Sequence, residues 1–175
     1  YGIFCCSGIL FNHESPRRGP EFVTRKITMA AAAISLGYQD ALELGDLNAV
    51  RDWGYAGDYV RAMWLMLQQD VPKDYIIATG KGHTVREFAT CAFAAAGIDL
   101  EWTGDGYGEV GFNKKTGETV VRVNPKLCRN QKNDVIRADP SNIQRELGFI
   151  PEHSFDKMIA EMIYQDKKLL LGKKK

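Results

Sequence analysis

The ten residues after the first tyrosine form an apolar run that limits the folds open to this chain. Residues 2–11 read Gly-Ile-Phe-Cys-Cys-Ser-Gly-Ile-Leu-Phe, with almost no alternation of apolar and polar side chains. A short run of this kind predicts a strand covered on both faces, as in the parallel sheet of an α/β protein. Because a lone buried strand leaves its backbone groups without partners, we expect this segment to belong to a larger domain.

A polar and cationic segment follows the predicted strand directly. Residues 11–19 read Phe-Asn-His-Glu-Ser-Pro-Arg-Arg-Gly and supply an amide, an imidazole, a carboxylate and two guanidinium groups. In parallel sheets, ligands bind beyond the carboxyl ends of the strands. The segment therefore predicts a ligand site, and the alternative interpretation is an ordinary solvated loop.

A helix is predicted between Pro20 and Gly37, with apolar residues at helical spacing at Phe22, Val23, Ile27, Ala30, Ala31 and Ile34. Lys26 falls near the start of this helix. Because a helix N-terminus and a nearby cation both favour negative charge, this region is expected to bind an anion.

Arg51 is the next candidate, in a polar connection over residues 47–56. Pairing with Asp52 or Asp58 on the surface is the structural alternative. Beside a diphosphate, a guanidinium group forms two parallel charge-assisted hydrogen bonds, which a lysine cannot do.

The other segments predict an alternation of strands and helices. Strands are expected at residues 42–46 and 75–78, and helices at residues 57–69, 84–96, 139–148 and from Ser154 onward. Thr84 and Glu87 match a capping box, and Gly97 ends that helix. Two apolar stripes are predicted to lie in the core: Val60, Met63, Trp64 and Leu67; and Phe155, Met158, Ile159, Met162, Ile163, Leu169 and Leu170.

The glycines at 106, 108 and 111 match the G-x-G-x-x-G pattern of dinucleotide-binding loops. That pattern requires a helix to follow at once. Residues 112–123 instead contain turn residues and then a β-branched run, so they predict a hairpin without a role in cofactor binding.

Composition excludes several classes of protein. A net charge of +1 with 26% charged residues argues against nucleic-acid binding. The four cysteines lack zinc-site spacing and are expected to be reduced thiols in the cytosol, and no metal site is expected. No apolar run is long enough to cross a membrane.

Two strings carry a family resemblance: FNHESPRRGPEFVTRKIT and LGDLNAVRDWGYAGDYVRAMWLMLQQD. They closely resemble the GDP-mannose 4,6-dehydratase family of the extended short-chain dehydrogenase/reductase superfamily. The likeness covers residues 1–124 and returns weakly toward the C-terminus. It implies the C-terminal part of a doubly wound Rossmann-type parallel sheet plus a smaller α/β substrate-binding domain. Residues 1–78 would complete the NADP-binding domain, and residues 79–175 would bind the nucleotide-sugar.

The resemblance also implies the reaction. The family oxidises C4 of GDP-mannose with bound NADP, eliminates water across C5 and C6, and returns the hydride to C6. The tyrosine, lysine, threonine and glutamate of this chemistry, and the glycine-rich loop, precede this segment in the family. We therefore expect no catalytic residue here, no activity without the N-terminal half, and a cytoplasmic homo-oligomer once assembled. The match of Tyr164 and Lys168 to Tyr-x-x-x-Lys is interpreted as coincidence.

The implied binding residues follow from the same resemblance. The cofactor contacts are His13 and Arg18, and the GDP-sugar contacts are Asn12, Val23, Lys26, Arg51 and Arg129. The chain departs from the family after Arg129, because Lys132 stands where the family has a glutamate. A lysine cannot accept hydrogen bonds from sugar hydroxyl groups, so this departure leaves either the pocket changed or the register there different.

Two functions remain open. One is the C-terminal half of a GDP-mannose 4,6-dehydratase. The other is a non-catalytic nucleotide-sugar binding or interaction module derived from that family, which the charge reversal at Lys132 would favour. A related epimerase is a third possibility, and the NHESPRRG string argues against it.

Overall fold

A computed structural model describes residues 1–128 and 135–172. The strands in these residues are β1 (Gly8–Leu10), β2 (Asn12–Glu14), β3 (Leu42–Leu44), β4 (Val50–Arg51), β5 (Trp53–Tyr55), β6 (Tyr75–Ile77), β7 (His83–Thr84), β8 (Leu100–Thr103), β9 (Val110–Asn113), β10 (Thr119–Val123) and β11 (Val135–Ile136). The helices are α1 (Val23–Ser35), α2 (Ala56–Met66), α3 (Val85–Ala96), α4 (Ser141–Leu147) and α5 (Phe155–Gly172).

These elements form two units, each made of three separate stretches of chain. Unit 1 contains Tyr1–Ser15, Val50–His83 and Val135–Met158. Unit 2 contains the described residues of Pro16–Ala49, Thr84–Asp134 and Ile159–Lys175. The assignment of residues 1–78 to cofactor binding and 79–175 to substrate binding stays a prediction.

Unit 1 is built on parallel strand pairs. β1 pairs with β6, β2 with β5, and β4 with β11, all in parallel. The core packs the inner face of α2 against β6 and the α4 region, through Tyr59, Ala62, Met66, Tyr75, Ile77, Ile143 and Phe149. The carboxyl ends of β2 and β5 lie side by side in this unit, which brings the polar residues of the two segments together.

Unit 2 contains a mixed four-stranded sheet in the order β3, β10, β9, β8. β10 runs parallel to β3 and antiparallel to β9, and β8 runs antiparallel to β9. Helices α1 and α3 pack on each other. The core contains Ile27, Ala31, Leu42, Leu44, Phe88, Phe93, Val121, Met162 and Ile163.

Several local predictions are confirmed. Thr84 and Glu87 form both hydrogen bonds of a capping box, and α3 ends at Gly97, which has a left-handed φ of 91°. The glycine pattern at 106–111 leads into β9 and the β9–β10 hairpin instead of a helix. The Ser154 hydroxyl accepts a hydrogen bond from the Lys157 N–H at the start of α5, as predicted for a cap.

The prediction of a fully covered strand over residues 2–11 is wrong. Only Gly8–Leu10 is a strand, and the side chains of Ile3 and Ile9 are exposed. Within the described residues β1 has a single partner strand, β6, so no second neighbour contributes to its cover.

The predicted core face of α2 is also wrong. Val60, Met63 and Leu67 are exposed, and Trp64 is 59% exposed. The buried face contains Tyr59, Ala62 and Met66 instead. Successive helical residues are separated by about 100°, so the two stripes lie roughly a quarter turn apart. Ala62 belongs to the stripe that packs, and its small side chain lets the helix approach its neighbours closely.

Two further predictions need correction. The apolar stripe of α5 is buried only as far as Ile163, and Leu169 is exposed. The connection over residues 47–56 is not a simple polar loop, because it contains β4 and β5 and a buried Trp53.

Candidate functional site

The sequence-predicted binding residues lie in both units. Unit 1 holds Asn12, His13 and Arg51. Unit 2 holds Arg18, Val23 and Lys26. Arg129 and Lys132 lie outside the described residues. The structure therefore brings each set of three residues into one unit, and the binding role of every one of them stays a prediction.

His13 lies in the middle of β2, directly opposite Gly54 of β5. Its Nδ1 atom is 2.8 Å from the carbonyl oxygen of Phe11. A carbonyl oxygen only accepts hydrogen bonds, so Nδ1 carries the hydrogen. In the neutral ring, Nε2 then has a lone pair and acts as an acceptor.

Arg51 lies on β4, which pairs with β11 and places Ile136 beside it. One guanidinium nitrogen, Nη1, donates to the carbonyl oxygen of Val50 at 2.8 Å. The guanidinium group has five N–H donors, so this contact uses one of them. The side chain is half-buried.

The sequence alone offers Asp52, the next residue, only as a surface partner for Arg51. It is 0% exposed, and that surface role is excluded. Its carboxylate accepts hydrogen bonds from the Thr79 N–H at 3.0 Å, the Thr79 hydroxyl at 2.6 Å and the Gly80 N–H at 2.8 Å. Asp52 therefore fixes the turn that follows β6.

Asp58, the other surface partner considered for Arg51, is buried as well. It accepts hydrogen bonds from the backbone N–H groups of Glu152 at 3.1 Å and His153 at 3.0 Å. Its carboxylate therefore fixes the segment that leads into α5.

Tyr59 is buried in the same unit as three buried carboxylates. Burial raises its pKa far above the usual value, and the negative charges of Asp52, Glu14 and Asp58 raise it further. The phenol therefore stays protonated at neutral pH. Because a catalytic tyrosine base needs a lowered pKa, Tyr59 is unsuited to that role.

The three candidates of unit 2 lie around the start of α1. Val23 is the first residue of the helix, and its N-cap residue, Phe22, makes no side-chain capping bond. The guanidinium group of Arg18 lies 3.5 Å above the centre of the Phe22 ring. Such a cation–π contact attracts the guanidinium group to the face of the ring.

Lys26 is held by the edge of β3. Its ammonium group donates to the carbonyl oxygen of Glu43 at 2.6 Å. The carboxylate of Glu43 accepts a hydrogen bond from the side-chain amide of Asn124 at 2.8 Å. Sequence reasoning missed Glu43 and Asn124. Glu43 is 17 residues from Lys26 and Asn124 is 81 residues from Glu43, so both contacts form only in the folded chain.

Residues 1–128 and 135–172 contain no group of three or more histidine, cysteine, aspartate or glutamate side chains arranged to hold a metal ion. Over the same residues, no helix is long and apolar enough to span a membrane. The four cysteines are free thiols.

Solved structures show which fold this chain has. A structure described as RMD from Pseudomonas aeruginosa complexed with NADPH aligns with a TM-score of 0.78 and 18% identity, over 96% of this chain and 50% of that one. The UDP-glucose 4-epimerase of Thermus thermophilus with NAD aligns with a TM-score of 0.68 and 23% identity, over 95% of this chain and 48% of that one. The chain therefore has the fold of about half of each of these structures, which is a Rossmann-type α/β fold, as predicted.

Sequence comparison gives the family within that class. The family model described as GDP-mannose 4,6 dehydratase matches residues 1–162. The GDP-mannose 4,6-dehydratase of Yersinia enterocolitica is 48% identical over 95% of this chain and 47% of its own length. The human enzyme is 46% identical over 97% of this chain and 46% of its own length. The chain belongs to the GDP-mannose 4,6-dehydratase family and spans about half the length of these relatives.

Proposed function

We propose that this chain is the C-terminal portion of an enzyme that converts GDP-mannose to GDP-4-keto-6-deoxymannose with NADP. The observation that carries the proposal is the match of almost the whole chain, at 46–49% identity, to proteins named GDP-mannose 4,6-dehydratase. Their greater length supports the view that the other half of the enzyme supplies the catalytic groups. A cytoplasmic homo-oligomer is part of the same proposal.

The residues present fit a nicotinamide dinucleotide and a nucleoside diphosphate sugar. In unit 1, His13 offers an acceptor at Nε2 and Arg51 offers guanidinium donors. In unit 2, Arg18 and Lys26 place positive charge at the start of α1, where a phosphate group is favoured. A bound nicotinamide cofactor would supply the hydride acceptor and donor for the sugar. The residues of this chain would bind and orient the two ligands.

Tyr164, with Lys168, is the formal match to the Tyr-x-x-x-Lys pattern of a catalytic tyrosine. It is 62% exposed on α5. A proton-transfer tyrosine needs a neighbouring cation in a site that excludes water. The exposure supports the interpretation that its match to Tyr-x-x-x-Lys is a coincidence.

The test combines this chain with the half of the Yersinia relative that it does not match. Purified chain alone is expected to form no 4-keto-6-deoxy product from GDP-mannose and NADP, and the two halves together are expected to form it. Product formed by the chain alone would overturn the proposal that the other half of the enzyme supplies the catalytic groups. If the halves bind each other and GDP-mannose but form no product, the non-catalytic binding module becomes the better description.

Arg51→Lys tests the diphosphate contact in the combined protein. The substitution keeps the charge but loses the planar pair of donors. GDP affinity is therefore expected to fall by about 1.5–3 kcal/mol, the range for a hydrogen bond to a charged group. Arg145→Lys, at an exposed position on α4, is the matched control and should bind GDP like the parent. Equal affinity of Arg51→Lys and the parent would show that Arg51 does not contact the diphosphate.

A further inference from the structure

The backbone of β5 makes room for an aromatic ring beneath the cofactor candidate His13. His13 and Gly54 are direct partners across the parallel β2–β5 pair. Gly54 is buried, and a Cβ atom built on it would lie 2.4 Å from Cε2 and 2.9 Å from the hydroxyl oxygen of Tyr59. Real Cβ atoms do not approach other heavy atoms so closely. The absence of a side chain at Gly54 is therefore what lets Tyr59 occupy this position.

The ring of Tyr59 packs against the imidazole of His13. Their centres are 5.2 Å apart, and the ring planes are inclined by 31°. The distance lies in the range of stabilising aromatic pairs. Together with the hydrogen bond from Nδ1 to Phe11, this contact fixes both the direction of the imidazole and the nitrogen that carries hydrogen.

The hydroxyl group of Tyr59 does not hold the ring in place against His13 through a hydrogen bond to the described residues. It is buried and has no hydrogen-bond partner in the part of the chain that the structure describes. A buried hydroxyl without a partner costs stability and is normally selected against. The ring itself is therefore the part of Tyr59 that the packing uses.

We infer that Gly54 and Tyr59 are positioning residues for His13, and that they hold its imidazole so that Nε2 accepts a hydrogen bond from a hydroxyl or amide N–H group of the nicotinamide cofactor. The choice of ligand rests on the proposed function. The packing of the three residues does not, because all of it lies within unit 1.

The first experiment measures the tautomer of His13 by nitrogen NMR in the full chain, at a pH where the ring is neutral. The parent and Tyr59→Phe are expected to show hydrogen on Nδ1. Gly54→Ala, which pushes Tyr59 away, is expected to lose this preference. Gly108→Ala is the matched control, because a Cβ atom there meets nothing within 4 Å.

Two results would overturn the inference. One is a parent chain whose His13 carries its hydrogen on Nε2, and this measurement decides the matter even if Gly54→Ala does not fold. The other is a folded Gly54→Ala chain with the same tautomer populations as the parent.

The second experiment titrates NADPH into the chain combined with the unmatched half of the Yersinia relative. Tyr59→Phe should bind within about twofold of the parent, and Gly54→Ala about 2- to 12-fold more weakly, the range for one neutral hydrogen bond. Unchanged affinity in Gly54→Ala would overturn the role toward the cofactor. If the parent itself binds no NADPH, the cofactor named in the proposed function is wrong. The tautomer measurement still tests the packing of Gly54, Tyr59 and His13 in that case.

Discussion

Removal of the Asp166 carboxylate is expected to lower the free energy of unfolding far more than removal of any exposed carboxylate. Asp166 on α5 forms an ion pair with Arg25 on α1, within unit 2. The two side chains are 2% and 7% exposed. Arg25 directly precedes Lys26, so this ion pair also anchors the helical turn that carries a predicted GDP-sugar contact.

The magnitude follows from what Asp166→Ala leaves behind. Arg25 would keep one weak neighbour, the Thr28 hydroxyl at 3.5 Å, for a charge that stays buried. Removing one partner of a buried ion pair typically costs about 3–5 kcal/mol, because the remaining charge is uncompensated. The other carboxylate oxygen of Asp166, Oδ2, is buried without a hydrogen-bond partner in the described residues, and its removal relieves part of that cost. We therefore expect about 3 kcal/mol, which is roughly a 150-fold change in the unfolding equilibrium.

Urea unfolding of the purified chain, followed by circular dichroism, measures this loss. With a slope of about 2 kcal/mol per molar, the midpoint should fall by about 1.5 M. Asp156→Ala, at an exposed position in the first turn of the same helix, should cost less than about 1 kcal/mol. The double variant Arg25→Met with Asp166→Leu removes both charges and should recover most of the lost stability. A loss below about 1 kcal/mol in Asp166→Ala would refute the reasoning.

Two further predictions concern other carboxylates. Asp52→Ala leaves the Thr79 and Gly80 N–H groups without their acceptor and leaves the Thr79 hydroxyl only the Lys81 carbonyl oxygen at 3.3 Å. A loss of about 3 kcal/mol is therefore expected in urea unfolding, and Asp52→Asn should lose less because it keeps one acceptor oxygen. Glu146 has a pKa below its ordinary value of 4.5, chiefly because it accepts hydrogen bonds from Lys73. Its contribution is present above about pH 4.5 and is lost as the pH falls through the lowered folded-state pKa, so stability measured against pH should fall less steeply in Glu146→Gln. If stability falls equally steeply at low pH in the parent and in Glu146→Gln, Glu146 does not contribute to the acid sensitivity of the fold.

Local signals were enough to locate the five helices and the β9–β10 hairpin of the described residues. The capping box of Thr84 and Glu87 and the stop at Gly97 bound α3 as expected. The residues after Gly111 predicted a hairpin against a misleading glycine pattern, and β9 and β10 form it. Such features depend on residues within a few positions of one another, so the sequence contains all the information they need.

Family membership was also evident in the sequence. The NHESPRRG string and the segment around Arg51 indicated the family, and the family match over residues 1–162 agrees. The binding role of each individual residue, in contrast, stays a prediction. The positions of Arg129 and Lys132 lie outside the described residues, so the expected change in sugar recognition stays a prediction.

Tertiary packing decided which faces are buried and what surrounds the candidate site. Helix α2 has two apolar stripes, and sequence periodicity alone favoured Val60, Met63, Trp64 and Leu67 over the stripe that packs. The choice depends on which neighbour a helix meets, and that neighbour comes from strands and a helix that are distant in the chain. The same holds for Asp52, whose partners are 27 and 28 residues away, and for Gly54, whose role appears only when Tyr59 folds back beneath His13. The sequence by itself determined the five helices in the described part of the chain, the family and the kinds of side chain that could bind a ligand, because these depend on residues close together in the chain. The orientation of each group was decided by contacts between distant residues, which form only when the chain is folded.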